Sequence, residues 1–313
     1  MQNKTAKVFL LKVTLLVFIP VILFFAVYEY VVRSIPNDYS FKSSILREKA
    51  SDIKILVLGS SHSYYGINPK YFDKSAFNVS HVSQSYNYDD FIFNKYLPTL
   101  YSLEYVILPI SVFSPLSEGL DSGKESWRSK YYSIYYDCNY HKWYDYKYRY
   151  LFSSINDFYT KNFLVQFIYH NDREIYVDTN GFALEKKKVT DFKKDGMNVA
   201  KRHTIKDLDD TLSYKKNKEF CQNIVDECKS KGVKVLLVST PTTVEYFTNI
   251  NPRQIKIMED YGKELAKNDN VKYINLLKSP LFNNEDFFNS DHLSHKGAKK
   301  LTLLLNDTIN NWR

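Results

Sequence analysis

Short, almost unbroken apolar runs recur along the chain at IKILVLG (53–59), EYVILPI (104–110), VKVLLVS (233–239) and VKYINL (271–276), with a shorter candidate at AFNVS (76–80). Runs of this length without polar alternation are expected of strands covered on both faces. Amphipathic segments lie between them. YDDFIFNKYLPTL (88–100) has helical spacing and an acidic start. SYKKNKEFCQNIVDECKSKG (213–232) places Phe220, Ile224 and Cys228 on one face and Gly232 at its C-cap. PRQIKIMEDYGKELAKN (252–268) starts on Pro252, which suits a first turn, and HKGAKKLTLLLNDTINNW (295–312) closes the chain. Alternation of this kind predicts an α/β fold with a parallel sheet wound by helices. Ligands then bind outside the carboxyl ends of the strands. Ser60, Ser61 and His62 follow the first strand, on that side. Pro109, near the end of its run, predicts that pairing stops there.

Residues 112–212 interrupt the alternation. They are rich in tyrosine, most densely in SKYYSIYYDCNYHKWYDYKYRYLF (129–152). So many aromatics argue against disorder. A mostly helical inserted cap is expected, its tyrosines either packing on the sheet or forming a glycan-stacking or membrane-surface face.

At the N-terminus, VTLLVFIPVILFFAVY (13–28) is a run of 16 uncharged residues. With the preceding VFLL the apolar stretch reaches about 21 residues, enough to span a bilayer, with the Lys12 amine reaching the headgroups. Lys4, Lys7 and Lys12 before the span predict a cytoplasmic N-terminus and an exported remainder. No A-x-A-like site follows, so an uncleaved signal anchor is favoured over a cleaved signal or a buried core helix. The expected organisation is a cytoplasmic tail and anchor (1–33), a polar tether (34–52) and one domain (53–313) with its insertion. In a bacterium this is a single-pass protein of the cytoplasmic membrane with its domain outside.

The three cysteines are Cys138, Cys221 and Cys228. The last two, seven apart on a helix, have Cα atoms about 10 Å apart, too far for a disulfide. No zinc spacing is present. Net charge is +8, densest between about 184 and 234. That excess is either a solvated face or a surface for an anionic lipid or charged cell-wall polymer. A nucleic-acid partner is not expected, because no such motif accompanies the charge.

A serine hydroxyl attacks only when a base takes its proton, and the base needs an acceptor on its other nitrogen and donors for the oxyanion nearby. Of the seven histidines, His292 in FFNSDHLSHKGAKKLT (287–302) is the best base. It follows the fifth strand, so it and Ser61 share the carboxyl side of the sheet although 231 residues separate them.

LVLGSSHSYYGINP together with SDHLSHKGA resembles the SGNH/GDSL hydrolase superfamily. The resemblance is closer to its membrane-anchored bacterial branch of DltD-like and polysaccharide O-acetyltransferase-associated proteins, and covers roughly residues 53–110 and 233–312. It implies a flavodoxin-like three-layer fold with Ser61 as nucleophile and His292 as base. The sequence departs from the pattern in three places. Asn289 stands where the family has the aspartate three residues before the histidine, so either Asn289 or the adjacent Asp291 would orient His292. Ser83 aligns with the family's oxyanion glycine, where a backbone N–H suffices. The family's oxyanion asparagine is missing, with Ser111 or Ser114 the nearest substitutes, so the hole would rest on the N–H groups of Ser61 and Ser83.

The plainer readings are that Ser61 caps a helix, that His292 is a buried hydrogen-bonded residue, that His62 serves packing or substrate contact and that His295 is solvated. A metal site from His62, Asp291, His292 and His295 has irregular spacing and is not expected, nor is a cofactor. The expected function is an extracytoplasmic serine esterase or O-acyltransferase acting on acyl esters of a surface polysaccharide or cell-wall polymer, in company with a membrane-bound acyltransferase. The alternatives are a degenerate scaffold that binds glycan or that acyltransferase without catalysis, and a purely structural tethered domain.

Overall fold

The computed structural model describes residues 2–34, 36–138, 175–184 and 186–312. The chain forms two compact units, one of residues 1–37 and 130–175, the other of 38–129 and 176–313. The first contains helix α1 (Gln2–Val13), a π-helical turn (Thr14–Phe18) and α2 (Ile19–Arg33). Together they hold one helix, Thr5–Val31, of 27 residues with an 18-residue stretch of mean hydropathy 2.8, long and apolar enough to cross a membrane. The π turn falls where Pro20, lacking an N–H, leaves the Leu16 carbonyl without its α-helical donor. Residues 139–174 and 185 of the tyrosine-rich insertion, with the larger part of its densest stretch, lie outside the described residues.

In the second unit, β1 (Ile55–Val57), β2 (Ala76–Asn78), β3 (Tyr105–Pro109), β4 (Lys234–Ser239) and β5 (Val271–Asn275) form one parallel sheet in the order 2-1-3-4-5. This is the flavodoxin-like doubly wound order, whose direction reverses between β1 and β3. On one face Ile55, Val57, Ile107, Leu236 and Val238 pack against Leu301, Leu305 and Ile309 of the C-terminal helix (His295–Asn310). Leu56, Val106, Leu108 and Leu237 point the other way and are just as buried. The helices Tyr86–Tyr96, Thr211–Ser230 and Pro252–Leu265 cover that second face. Burial on both faces is why these strands read as continuous apolar runs.

Residues 34–52 are not simply a polar tether. They contain α3 (Asp38–Lys49), whose Tyr39, Lys42, Ser43 and Leu46 are buried at helical spacing. Two of the four are polar, which hid the pattern. Lys42 donates to the Ser80 carbonyl at 2.5 Å and lies 4.6 Å over the Tyr64 ring. Burial pushes its amine down to about 7, against the opposing pull of Asp38 and Asp178.

Pairing also runs past Pro109. Val238 stands opposite it, and the Ile110 N–H donates to the Val238 carbonyl at 2.8 Å. Odd-numbered positions of this strand face β1, whose own ladder ends as the Leu58 N–H meets the Ile107 carbonyl. The missing N–H of Pro109 therefore falls on the β1 side, where the ladder is giving way to the turn at Gly59, and leaves the pairing with β4 intact.

Gly59 makes the turn out of β1. Its φ is +108°, and a Cβ there would lie 2.1 Å from Pro109 Cγ. Left-handed strain and overpacking add, so Gly59→Ala is expected to lose about 3 kcal/mol of stability. Chemical denaturation of the full-length protein measures it; a loss under ~1 kcal/mol would show that the turn relaxes freely.

Candidate active site

After Gly59, Ser60 takes the N-cap position of α4 (Ser61–Gly66) with no side-chain capping bond. Ser61 is thus the first helical residue rather than a cap, and its hydroxyl is committed elsewhere: Oγ lies 2.8 Å from His292 Nε2. Between them the two residues span 231 positions of sequence and meet at the carboxyl edge, beside the β1/β3 switch point.

His292 is carried by a closed loop. Phe287 and Leu293 bridge antiparallel, and the Phe288 N–H donates to the His292 carbonyl at 3.2 Å. Asp195 Oδ2 accepts the Ser290 N–H at 2.8 Å, while the Thr243 N–H and hydroxyl both donate to the Ser290 carbonyl. The imidazole stacks on Phe288 at 5.6 Å and meets the edge of Tyr65 at 5.2 Å.

Both acid candidates reach the ring. Asn289 Oδ1 accepts the His292 backbone N–H at 2.8 Å and lies 3.1 Å from Nδ1. A backbone N–H only donates, so the Asn289 atom facing it is the amide oxygen. Asp291 Oδ1 is also 3.1 Å from Nδ1 but off the hydrogen-bonding direction. With acceptors on both sides, Nδ1 carries the proton and the Nε2 lone pair faces Ser61.

Asp291 is buried among three imidazoles. Besides His292, His62 Nε2 lies 3.4 Å and His203 Nδ1 3.9 Å from Oδ2. Burial alone would push this carboxyl up, but His292, His62 and His203 outweigh it and hold it well below the usual carboxylate range. His62 Nδ1 meets Ser111 Oγ at 2.6 Å, and Ser114 Oγ accepts the Ser111 N–H. Ser111 is therefore engaged in supporting His62. His203 Nδ1 meets the Tyr246 hydroxyl at 2.8 Å. It comes from the helix Phe192–His203, inside the interrupted stretch, and nothing in the spacing of the sequence marks it.

His295 is not simply solvated: its Nε2 donates to the Ala183 carbonyl at 3.0 Å and its ring packs on Phe182. Of the four potential metal ligands, His62, Asp291 and His292 have ligating atoms within 4.8 Å of one another, close enough to share one ion. Their hydrogen bonds to one another and to Ser61, Ser111 and Asn289 account for the same grouping.

Ser83 has a left-handed φ of +62°, the conformation that favours the glycine expected at this position. It lines, with Ser61, a cavity of about 330 Å³. Cys138, Cys221 and Cys228 are all buried, and no disulfide joins any of them among the described residues.

Burial lowers the pKa of His62, and that of His203 to about 4. In the unfolded chain both titrate near the ordinary value of about 6.5. Between those values the unfolded state binds more protons, so acid favours unfolding. Stability is expected to fall by on the order of 2 kcal/mol between pH 7 and pH 4.5 from His203 alone, and guanidinium midpoints at the two pH values check it. His203→Gln should flatten that fall.

The fold and this constellation define a doubly wound α/β protein with a serine–histidine pair at its switch point. No family model matches the chain, and no curated protein matches it. Among solved structures it is similar to one from Streptococcus pneumonia provisionally described as a platelet activating factor. That likeness has a TM-score of 0.39 and 12% identity, covering 87% of this chain and 91% of that one, and at such values it bears on neither fold nor chemistry.

Proposed function

We propose that the protein is a membrane-anchored, extracytoplasmic serine esterase or O-acyltransferase of SGNH type, acting on acyl esters of a cell-surface polysaccharide or cell-wall polymer. The observation that carries the reading is the 2.8 Å contact of His292 Nε2 with Ser61 Oγ, on a ring whose other nitrogen is 3.1 Å from Asn289 Oδ1. Ser61 Oγ attacks the acyl carbonyl as His292 Nε2 takes its proton. The tetrahedral oxyanion is received by the backbone N–H groups of Ser61 and Ser83; the first N–H groups of a helix have no partner inside it. His292 returns the proton to the departing alcohol oxygen, leaving an acyl-Ser61. Water, or a hydroxyl of an acceptor, is deprotonated by His292 and releases the acyl group. Asn289 holds the tautomer and Asp291 supplies the charge that stabilises imidazolium. The apolar helix Thr5–Val31 would tether this chemistry to the membrane, beside the acyltransferase that supplies or accepts acyl groups.

A fluorophosphonate probe tests the nucleophile directly, because it phosphonylates an activated serine and releases fluoride. Labelling of full-length protein in detergent should map to Ser61 by peptide mass spectrometry and be lost in His292→Ala. No label, or label on another serine, would favour a binding scaffold without catalysis.

A further inference from the structure

The cavity that Ser61 lines is charged in one sense. Lys124 and Arg202 both line it, and neither has an ion pair or hydrogen bond among the described residues. Glu125, the carboxylate on the same lining, is bound to Arg128 at 2.5 Å. Asp89 also lines it, but Oδ1 is taken by the Gly59 N–H at 2.7 Å and the Gln84 amide at 2.6 Å. Burial raises the Asp89 carboxyl to about 7, so near neutral pH it is only partly ionised and offsets less than one of the two cations.

Exposed lysines and arginines usually form a solvated face. Arg202 differs from the rest of the basic stretch 184–234, being its one Lys or Arg on this lining. Its charge reaches His203, where it adds to the lowering that burial causes, and Tyr246, where it opposes without overcoming the rise that burial causes. Both residues are exposed, yet two uncompensated cations on the wall of one concave site attract an anion more strongly than the same charges on an open surface. The volume of about 330 Å³ is at the small end of ligand pockets, roughly 300–1,000 Å³.

We propose that this cavity selects acyl esters carrying an anionic group, a phosphate or a carboxylate, close to the ester, and that Arg202 and Lys124 receive that group. This rests on Ser61 being the nucleophile, since it is the hydroxyl at the cavity wall that places the ester. The polymer would then be an anionic one. Part of the basic stretch singled out in the sequence thereby serves the site itself.

The test compares kcat/KM of the full-length protein in detergent for 4-acetoxyphenyl phosphate and 4-acetoxybenzoate with that for neutral 4-acetoxybenzamide. The anionic-to-neutral ratio, compared between wild type and variant, cancels leaving-group differences. It should fall about ten-fold in Arg202→Gln and further in Arg202→Gln/Lys124→Gln. In wild type it should fall as ionic strength rises from ~0.01 to ~0.5 M. The larger drop between the phosphate and carboxylate esters identifies the group preferred. A ratio unmoved by both variants overturns the proposal. Should wild type cleave none of the esters, the nucleophile reading fails, and calorimetric titration with phenyl phosphate and benzoate takes over. Binding weakened by Arg202→Gln then supports the anion site, and no binding, or binding that Arg202→Gln leaves unchanged, overturns it.

Discussion

Ser61→Ala is expected to lower kcat for 4-nitrophenyl acetate by on the order of 10³- to 10⁶-fold, leaving the fold intact. The size follows from the geometry. Ser61 Oγ is the hydroxyl that His292 Nε2 reaches, at 2.8 Å. Without it, attack must come from water, which the site does not position. What survives is the contribution of binding and oxyanion donors, typically 10³- to 10⁴-fold over water. His292→Ala should cost about as much, and the double variant hardly more, because the two residues act as a unit. The neighbouring serine supplies the control. Ser60 occupies the N-cap position without a capping bond, so Ser60→Ala should stay within about threefold of wild type. Comparable rates for wild type and Ser61→Ala would remove Ser61 from the chemistry. Equal losses for Ser60 and Ser61 would point to the turn rather than the hydroxyl.

The sheet was legible because burial on both faces leaves a simple trace. IKILVLG and VKVLLVS contain Ile55–Val57 and Lys234–Ser239, and the helices lie within a few residues of their amphipathic segments. The helix Asp38–Lys49 was missed because its buried face includes two polar residues: Lys42, whose acceptor is the Ser80 carbonyl 38 residues away, and Ser43, whose hydroxyl bonds back to the Ser40 carbonyl within the helix. Pro109 misled because a proline's cost in a strand depends on which neighbour its missing N–H would face. The proximity of Ser61 and His292 was legible from topology, since loops after parallel strands converge on one edge. The choice between Asn289 and Asp291 was not. The direction of a side chain one residue from His292 depends on the Phe287–Leu293 bridge and on ties from Asp195 and Thr243. His62 and His203 became part of the site only through Asp291, a contact no spacing rule foresees.

The two residues contacting Nδ1 should separate under mutation by what each contributes. Asp291→Asn keeps the shape and removes the charge 3.1 Å from the ring. The imidazolium formed during attack then loses its counter-charge in a buried site. We expect kcat to drop by about 10²- to 10⁴-fold, in the range that neutralising a triad carboxylate produces. Asn289→Ala instead removes an aligned but neutral acceptor at 3.1 Å. Its loss frees the tautomer and should cost about 10- to 100-fold. The exchange Asn289→Asp/Asp291→Asn puts the charge on the aligned atom and keeps an amide where His62 reaches. It should recover activity to within about ten-fold of wild type. If Asp291→Asn is within twofold of wild type while Asn289→Ala is inactive, Asp291 serves only to hold the loop and Asn289 alone orients the base. If the exchange fails while each single variant behaves as expected, the charge acts from the position that His62 and His203 hold, and the two sites are not interchangeable.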